Sequence, residues 1–397
     1  MKPVLFVTGH APPYRVGAFA ALHERENVEF ALFGGRLAHG GGATATELPF
    51  PHRQLHEHAL KGAPHGGAHP EGRTLWGAGR QAGELYALAA SGRYRAVVCS
   101  TGGRVGLLAT WAGARRARVP LLLWASLWAH PRSFAHAFSF VALRRLYRSA
   151  DALVTYGPHV SAYVRAYGAR NVHVAPQAVD NAFWSSAPST HPTSPAWPNE
   201  SEVKFLFAGR PTREKGLGVL AEAWSMSGLQ APTAALVLVG AGPTPPWVPA
   251  GGAVVGAEPM PASAVVGIER VPAAELRDLY AAADVLVVPS IATRTFREPW
   301  GLVVNEAMNQ GLPVIASDAV GAAAGGLVRD EHNGVIVPAS DPIALAAALR
   351  RLAGDAAMRA RMGTAGKQDV AAYNFDAWSG GFSAALASVG VSREGVR

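Results

Sequence analysis

Short apolar runs of three to six residues recur along the whole chain, separated by stretches in which apolar positions fall at helical spacing. In the first half, runs at residues 3–7, 28–32, 96–99, 119–124, 152–155 and 172–174 predict strands, and residues 16–24, 104–117 and 138–149 predict helices among them. The runs are continuous in Val, Leu, Ile, Ala and Phe rather than alternating with polar residues. Strands apolar on both faces belong in a parallel sheet covered by helices on both sides. The pattern resumes in the second half, with strands predicted at 203–207, 235–239, 285–288, 314–316 and 335–337. Helices are predicted there at 217–226, 273–282, 302–310 and 343–352, and a last one at 375–389. The fold class is α/β, built twice.

Between the halves, SSAPSTHPTSPAWPNES (residues 185–201) carries four prolines in seventeen residues. Such a stretch continues neither a helix nor a central strand, so it predicts a linker. A length of 397 residues also exceeds one compact core. The expected organisation is a domain over 1–184, the linker over 185–201, a second domain over 202–374, and a C-terminal helix over 375–397 crossing back to the first domain. Two irregular inserts interrupt the alternation, one at 36–73 rich in Gly and His, the other at 241–261 rich in Pro and Gly. Loops of that length in a compact domain usually serve function. No repeat of fixed period is present.

Composition narrows the class. With 49% hydrophobic and 16% charged residues, the chain is not a disordered one. Its single cysteine, Cys99, lies in an apolar run and reads as a core residue, so internal disulfides and a Cys-rich zinc module are excluded. The apolar start before Thr8 is too short for a signal-peptide core, and the apolar stretch at 121–129 falls far short of the roughly 20 residues of a membrane span. A cytoplasmic protein is expected. The net charge of +8 is uneven: residues 1–190 hold 20 Lys/Arg against 9 Asp/Glu, the rest 16 against 19. A basic first half suits an acidic acceptor, an anionic membrane surface or nucleic acid. The clusters Arg115-Arg116-Arg118 and Arg144-Arg145-Arg148 fit either a solvated helix face or such a partner.

Candidate chemistry lies mainly in the second half. In EPWGLVVNEAMNQGLPVIASD (residues 298–318), Pro299 and Gly301 mark a sharp turn and Leu302 begins a helix that stops at Gly311 and Pro313. A helix N-terminus after a parallel strand offers outward N–H groups to an anion. Glu306, one turn in, can grip a sugar diol, and Glu298 stands before the helix. A solvated acidic pair around an ordinary turn is the other reading. In FLFAGRPTREKG (residues 205–216), Arg210 and Lys215 follow a strand on its way into a helix. Two cations there suit a diphosphate, with Arg as a fork and Lys as a point charge; a solvated basic turn is again the alternative.

These segments occur in order with LYAAADVLVVPS (279–290), GLPVIASD (311–318) and NGVIVP (333–338). The G-R-x(4)-K-G of Gly209, Arg210, Lys215 and Gly216 and the E-x(7)-E of Glu298 and Glu306 complete the set. The chain thereby resembles the family 4 glycosyltransferases, retaining enzymes of GT-B architecture: two facing Rossmann-like domains with parallel sheets and an interdomain cleft. The resemblance implies a donor diphosphate on Arg210 and Lys215, and ribose hydroxyls on Glu306. It also implies a distal phosphate on the backbone of Gly301, Leu302 and Val303, and donor-sugar hydroxyls on Glu298. The base is implied near residues 267–271. In such sites, cations and a helix terminus offset leaving-group charge. No D-x-D motif occurs, so no metal and no cofactor beyond the nucleotide-sugar, of UDP or GDP type, is expected.

The first half resembles the family less tightly. Where many members carry G-G-x-G, residues 8–19 read TGHAPPYRVGAF, which leaves Gly9, His10 and Arg15 as candidates for the N-terminal contact. The family's histidine facing the donor sugar corresponds to His130 in LLLWASLWAHPRSF, with Ser126 as the alternative register. Catalytic roles are thereby implied for Glu298, His130, Arg210 and Lys215. His52 and His56 have the i, i+4 spacing of a zinc chelate, with His58, His65 and His69 beyond. Interleaved Gly and Pro favour a polar acceptor-side loop there, and no metal site is expected.

The implied activity is retaining transfer of a sugar to an acceptor hydroxyl of a glycan, lipid or small molecule, with domain closure on binding. A nucleotide-sugar epimerase of the same architecture is the alternative. A nucleic-acid partner is not expected, because it would leave the second-half motifs unexplained. Peripheral contact with an anionic membrane is the remaining partner expectation.

Overall fold

The protein is described from a computed structural model over residues 1–34, 48–55, 75–101, 104–131, 134–188, 197, 201–243 and 265–393. Most of the inserts at 36–73 and 241–261, most of the 185–201 segment, and His56, His58, His65 and His69 lie outside these residues. The chain forms two units: Met1–Pro176 together with Phe375–Arg397, and Gln177–Asn374.

The first unit begins with β1 (Val4–Thr8), α1 (Pro13–Glu26), β2 (Val28–Leu32) and β3 (His52–Gln54). It continues through α2 (Leu75–Ala90), β4 (Ala96–Ser100), α3 (Arg104–Ala117), β5 (Leu121–Ala125), α4 (Phe134–Ser149), β6 (Ala152–Thr155), α5 (Pro158–Ala166) and β7 (Val172–Val174). The sheet order is β3-β2-β1-β4-β5-β6-β7, and every pairing is parallel. All residues of β1, β5 and β6 are buried, as strands covered on both faces must be. β3 was not predicted: it is a three-residue edge strand of exposed polar residues paired with Phe30–Leu32, so no apolar pattern marks it.

The second unit opens with α6 (Asn181–Ser185) and continues through β8 (Val203–Ala208), a 3-10 turn at Arg213–Lys215, α7 (Leu217–Ser227), β9 (Ala234–Val239), β10 (Val265–Ile268), α8 (Ala273–Ala282) and β11 (Val285–Val288). Then come α9 (Val303–Asn309), β12 (Val314–Ser317), α10 (Gly321–Ala324), β13 (Gly334–Val337), α11 (Pro342–Gly354) and α12 (Ala356–Val370). Its parallel sheet has the order β10-β9-β8-β11-β12-β13. α11 and α12 start on aspartate caps, Asp341 accepting from the Ala344 amide and Asp355 from the Met358 amide.

The expected end of the first domain at residue 184 is corrected to Pro176. The reason is local. The Gln177 carbonyl accepts from Asn305 Nδ2 at 2.9 Å, and Gln310 Nε2 donates to the Trp184 and Ser186 carbonyls. The Trp184 ring lies 5.8 Å from that of Tyr280 on α8. Residues 177–186 are thus fastened to the second unit before the proline-rich stretch begins.

The chain returns to the first unit as α13 (Phe375–Ser388). Its fully buried Trp378 and Phe382 join Phe6 of β1, Phe19 of α1 and Trp124 of β5, with ring centroids 5.4 Å apart for Phe6–Phe382 and 5.9 Å for Trp124–Trp378. Past the helix, the fully buried Glu26 carboxylate accepts from Arg95 Nη2 (2.7 Å), the Ser392 hydroxyl (2.8 Å) and the Arg393 amide (2.9 Å). A buried carboxylate is tolerable only with such a full set of partners. Among the described residues, no helix is long and apolar enough to cross a membrane.

Candidate functional site

In the second unit, strands are added in one direction from β8 to β10 and in the other from β11 to β13. In open parallel sheets the crevice outside the carboxyl ends of the strands, at this reversal, is where ligands bind. The two loops that meet there follow β8 and β11. The first holds Arg210 and Lys215, the second Glu298.

The β8 loop is fixed by its own backbone. Gly216, at φ 72°, ends the 3-10 turn and starts α7; a Cβ there would collide with the Pro289 carbonyl at the end of β11. The Ile291 amide also donates to the Glu214 carbonyl, at 2.9 Å. These contacts hold Lys215 so that its Nζ donates to Glu298 Oε2 at 2.5 Å. Arg210 stays 58% exposed, with its guanidinium 3.9 Å from Glu214 Oε1. The cation pair expected from sequence is therefore split: Lys215 is tied to a carboxylate inside the site, while Arg210 points into solvent.

Glu298 is held by a parallel bridge to Val320 and is itself buried. Gly301 then turns the chain at φ 94°, and α9 begins at Val303, one residue later than expected. The first amides of a helix lack intrahelical acceptors, so those around Gly301, Leu302 and Val303 are the donors such a terminus presents. Every residue of α9 from Val304 to Asn309 is buried. Glu306 is only 9% exposed, and burial raises its carboxyl to about 7, an effect partly offset by the Tyr280 hydroxyl, which donates to Oε2 at 3.0 Å. Beside it, Trp300 Nε1 donates to Asn305 Oδ1 at 2.7 Å, and Asn305 passes its own N–H to Gln177. The solvated-pair reading of the two glutamates fails on burial. Tyr280, Trp300 and Asn305 were not predicted as site residues, because on an apolar helix or turn a hydrogen-bonding tip leaves no periodic signal.

The segment at 267–271 lies at the carboxyl end of β10. The Gly240 and Gly242 amides both donate to the Ile268 carbonyl (2.9 and 3.0 Å), and Glu269 and Arg270 are exposed. A site that reads a ligand by such backbone leaves little trace in side-chain identity.

The remaining candidates belong to the first unit. Gly9 and His10 follow β1, and the Gly34 amide donates to the Gly9 carbonyl at 2.5 Å. Arg15, in the first turn of α1, is buried, its guanidinium 5.3 Å from the Trp124 ring and 5.5 Å from the Tyr156 ring. Burial raises the Tyr156 hydroxyl, whose hydrogen bonds run to Arg15 and to Ser126, the residue after β5. His130 is half-buried in the next turn and packs its ring 4.2 Å from that of Phe140 on α4. Arg15 and Ser126 therefore share one aromatic box at the ends of β5 and β6, and sequence missed the box because Trp124 and Tyr156 sit in separate motifs. His52 is an exposed strand residue bonded to the Phe50 carbonyl, so the helical spacing to His56 does not apply. Among the described residues, no three His, Cys, Asp or Glu side chains form a group able to hold a metal ion.

Residues 202–355 match the family model described as glycosyl transferases group 1. A D-inositol 3-phosphate glycosyltransferase of Xylanimonas cellulosilytica is 35% identical over 227 residues, which is 54% of this chain and 51% of that protein. A namesake from Streptomyces bingchenggensis is 37% identical over 123 residues, 31% of this chain and 24% of the relative. The matched parts thus span about half or less of these curated relatives. Two solved structures share the fold over 98% of this chain. Sucrose-phosphate synthase from Thermosynechococcus elongatus has a TM-score of 0.68 at 20% identity over 99% of its chain. Anabaena HepE in complex with UDP and glucose has a TM-score of 0.69 at 16% identity over all of its chain. Two parallel α/β units of this topology give the chain the GT-B fold, and its second unit, through residues 202–355 with the motifs in order, is similar to the glycosyl transferases group 1.

Proposed function

We propose that the protein is a retaining, metal-independent glycosyltransferase that moves a hexose-type sugar from a nucleotide diphosphate-sugar to an acceptor hydroxyl. The observation that carries this reading is the Lys215–Glu298 pair, held at the sheet reversal next to the start of α9 and to the buried Glu306. Lys215 and Arg210 offset the charge that grows on the diphosphate as the glycosidic bond breaks, and the amides around Gly301–Val303 take the distal phosphate. Glu306 accepts from the ribose hydroxyls. Glu298, oriented by Lys215, contacts the sugar. No protein nucleophile is required if the departing phosphate takes the acceptor's proton on the face it leaves, and the chain's work is then positioning and charge compensation. In the first unit, Gly9, His10, Arg15 and His130 are assigned by resemblance alone.

The HepE structure holds UDP, which makes a uridine nucleotide the first donor to test; the curated relatives' name makes a phosphorylated polyol the first acceptor. UDP at about 100 times its dissociation constant should stabilise the fold by about 2.7 kcal/mol, visible as a raised melting temperature. Oligonucleotides should leave it unchanged. Transfer should survive excess EDTA, and the product should keep the donor's anomeric configuration. A nucleoside diphosphate panel without any thermal shift would refute the donor site. An inverted product would refute the retaining course, and activity lost to EDTA and restored by magnesium would refute the metal-free one.

A further inference from the structure

At the opposite edge of the first unit's sheet, where strands begin rather than end, arginines converge. Arg148 stands in the last turn of α4 and Arg165 in the last turn of α5, each just before a strand starts. With Arg170 and the backbone of Gly168 and Ala169, they line an open cavity of about 620 Å³ that has no carboxylate in its wall. Arg148 is propped in place: its Nε donates to the Tyr167 carbonyl at 3.3 Å, and its stem covers Gly168, which at φ 97° has no Cβ to push it away. Arg165 donates to the Val172 carbonyl at 3.4 Å. A guanidinium has five N–H donors, so most of them on each side chain stay available for another acceptor.

The basic surface continues up α4. Arg144 and Arg145 lie on the same exposed helix face as Arg148, and Val141, one turn further, is 72% exposed. Among the described residues, none of Arg144, Arg145, Arg148, Arg165 and Arg170 makes an ion pair within 4.0 Å. Compensation of helix dipoles accounts for Arg148 and Arg165 but not for the other three. The local field is felt at His173, whose imidazole is held below its ordinary value first by burial and then by Arg165.

We propose that this face of the first unit docks onto an anionic lipid bilayer, with headgroup phosphates seated among Arg148, Arg165 and Arg170 and Val141 at the interface. A bilayer is favoured over a soluble phosphate ligand because the cations extend beyond the cavity along a helix face and are joined there by an exposed apolar side chain. The surface lies away from the carboxyl ends of the strands, and the inference is independent of the donor-site reading, since docking needs no nucleotide.

The test is co-sedimentation of the full chain with vesicles of phosphatidylcholine alone or with about a third phosphatidylglycerol. Pelleting is expected only with the anionic vesicles at low salt, and it should fall away at 0.5 M NaCl, where the Debye length is roughly 4 Å. Each arginine near the surface contributes about fivefold in partitioning, so Arg165→Ala with Arg170→Ala should weaken it about 30-fold. Arg115→Ala with Arg116→Ala, an equal loss of charge on α3, should change it little. Equal losses for the two pairs, or no pelleting at low salt, would overturn the proposal. Saturable binding of inorganic pyrophosphate lost in Arg165→Ala/Arg170→Ala, without vesicle binding, would overturn it in favour of a soluble phosphate ligand. These side chains are exposed, so circular dichroism and melting temperature should match the parent chain.

Discussion

Replacing Lys215 with methionine is expected to lower turnover by two to three orders of magnitude while changing nucleotide affinity far less. The methionine keeps the length and apolar stem of the side chain and removes only the charge. Donors aimed at charge that develops in the transition state are worth about 10²–10³ in kcat when removed singly. In the resting site Lys215 holds Glu298 at 2.5 Å, so the substitution also frees the carboxylate proposed to contact the sugar. Both losses bear on the reacting centre rather than on the base or ribose, which is why kcat should fall more than affinity. Arg210→Ala should act in the same direction but less, because its side chain is mostly exposed and must move to reach a ligand. Steady-state kinetics alongside calorimetric titration of UDP separates the two quantities. Near-parental kcat in both variants would mean that the diphosphate is held elsewhere.

The second large effect concerns Glu306 and is a matter of pH. In the unfolded chain its carboxyl ionises near 4.5; in the fold, burial moves it to about 7. Between those values the native protein keeps a proton that the unfolded chain has released. Stability therefore falls as pH rises through that window, by about 3 kcal/mol in all, and is flat in this respect above pH 7. Glu306→Gln should abolish that fall. Nucleotide binding should run the other way, since ribose hydroxyls donate to the ionised form: affinity should rise about tenfold from pH 6 to pH 8. The variant's affinity should be flat with pH. Glu306→Ala should weaken binding about tenfold or more at pH 8, where a charged acceptor is lost. Titrations of UDP at three pH values, with melting curves at the same values, read both slopes. Identical pH dependence in the parent and Glu306→Gln would remove Glu306 from the site.

Much of this was legible in the sequence because the strands are apolar on both faces and punctuated by Gly and Pro. The motif glycines spoke plainly too: Gly216 and Gly301 stand at positive φ where the loops around the site turn. What stayed hidden did so for physical reasons. α12 packs Gly363 against the Gly311 carbonyl and Gly366 against Met308, so glycines take two of its five buried positions and leave only Met358, Met362 and Val370 to mark an apolar face. β3 joins the sheet through its backbone and the polar side chains of Arg53 and Gln54, which bond to Glu29 and Leu32 of β2, and has no apolar side chain to mark it. Tyr280 and Asn305 gain their roles from neighbours that sequence distance does not reveal, Glu306 in the first case and Gln177 in the second. The unit boundary was misplaced because prolines advertise a break, whereas the hydrogen bonds that decide it, from Asn305 and Gln310, are made by residues more than a hundred positions away.

The return of α13 to the first unit has a consequence for synthesis. Residues 1–176 leave the ribosome first, yet the aromatic cluster of Phe6, Phe19 and Trp124 acquires Trp378 and Phe382 only after the whole second unit has been made. At about 5–20 residues per second, that interval lasts roughly 10–40 s. The later-made unit, continuous in the chain from Gln177 to Asn374, thus has all its residues before the earlier one does. A nascent chain stalled after Asn374, with unit two clear of the exit tunnel, should show that unit resistant to protease and unit one still open to it. Resistance of both would mean that the first sheet closes without its last helix, and that a chaperone has no vacancy there to guard.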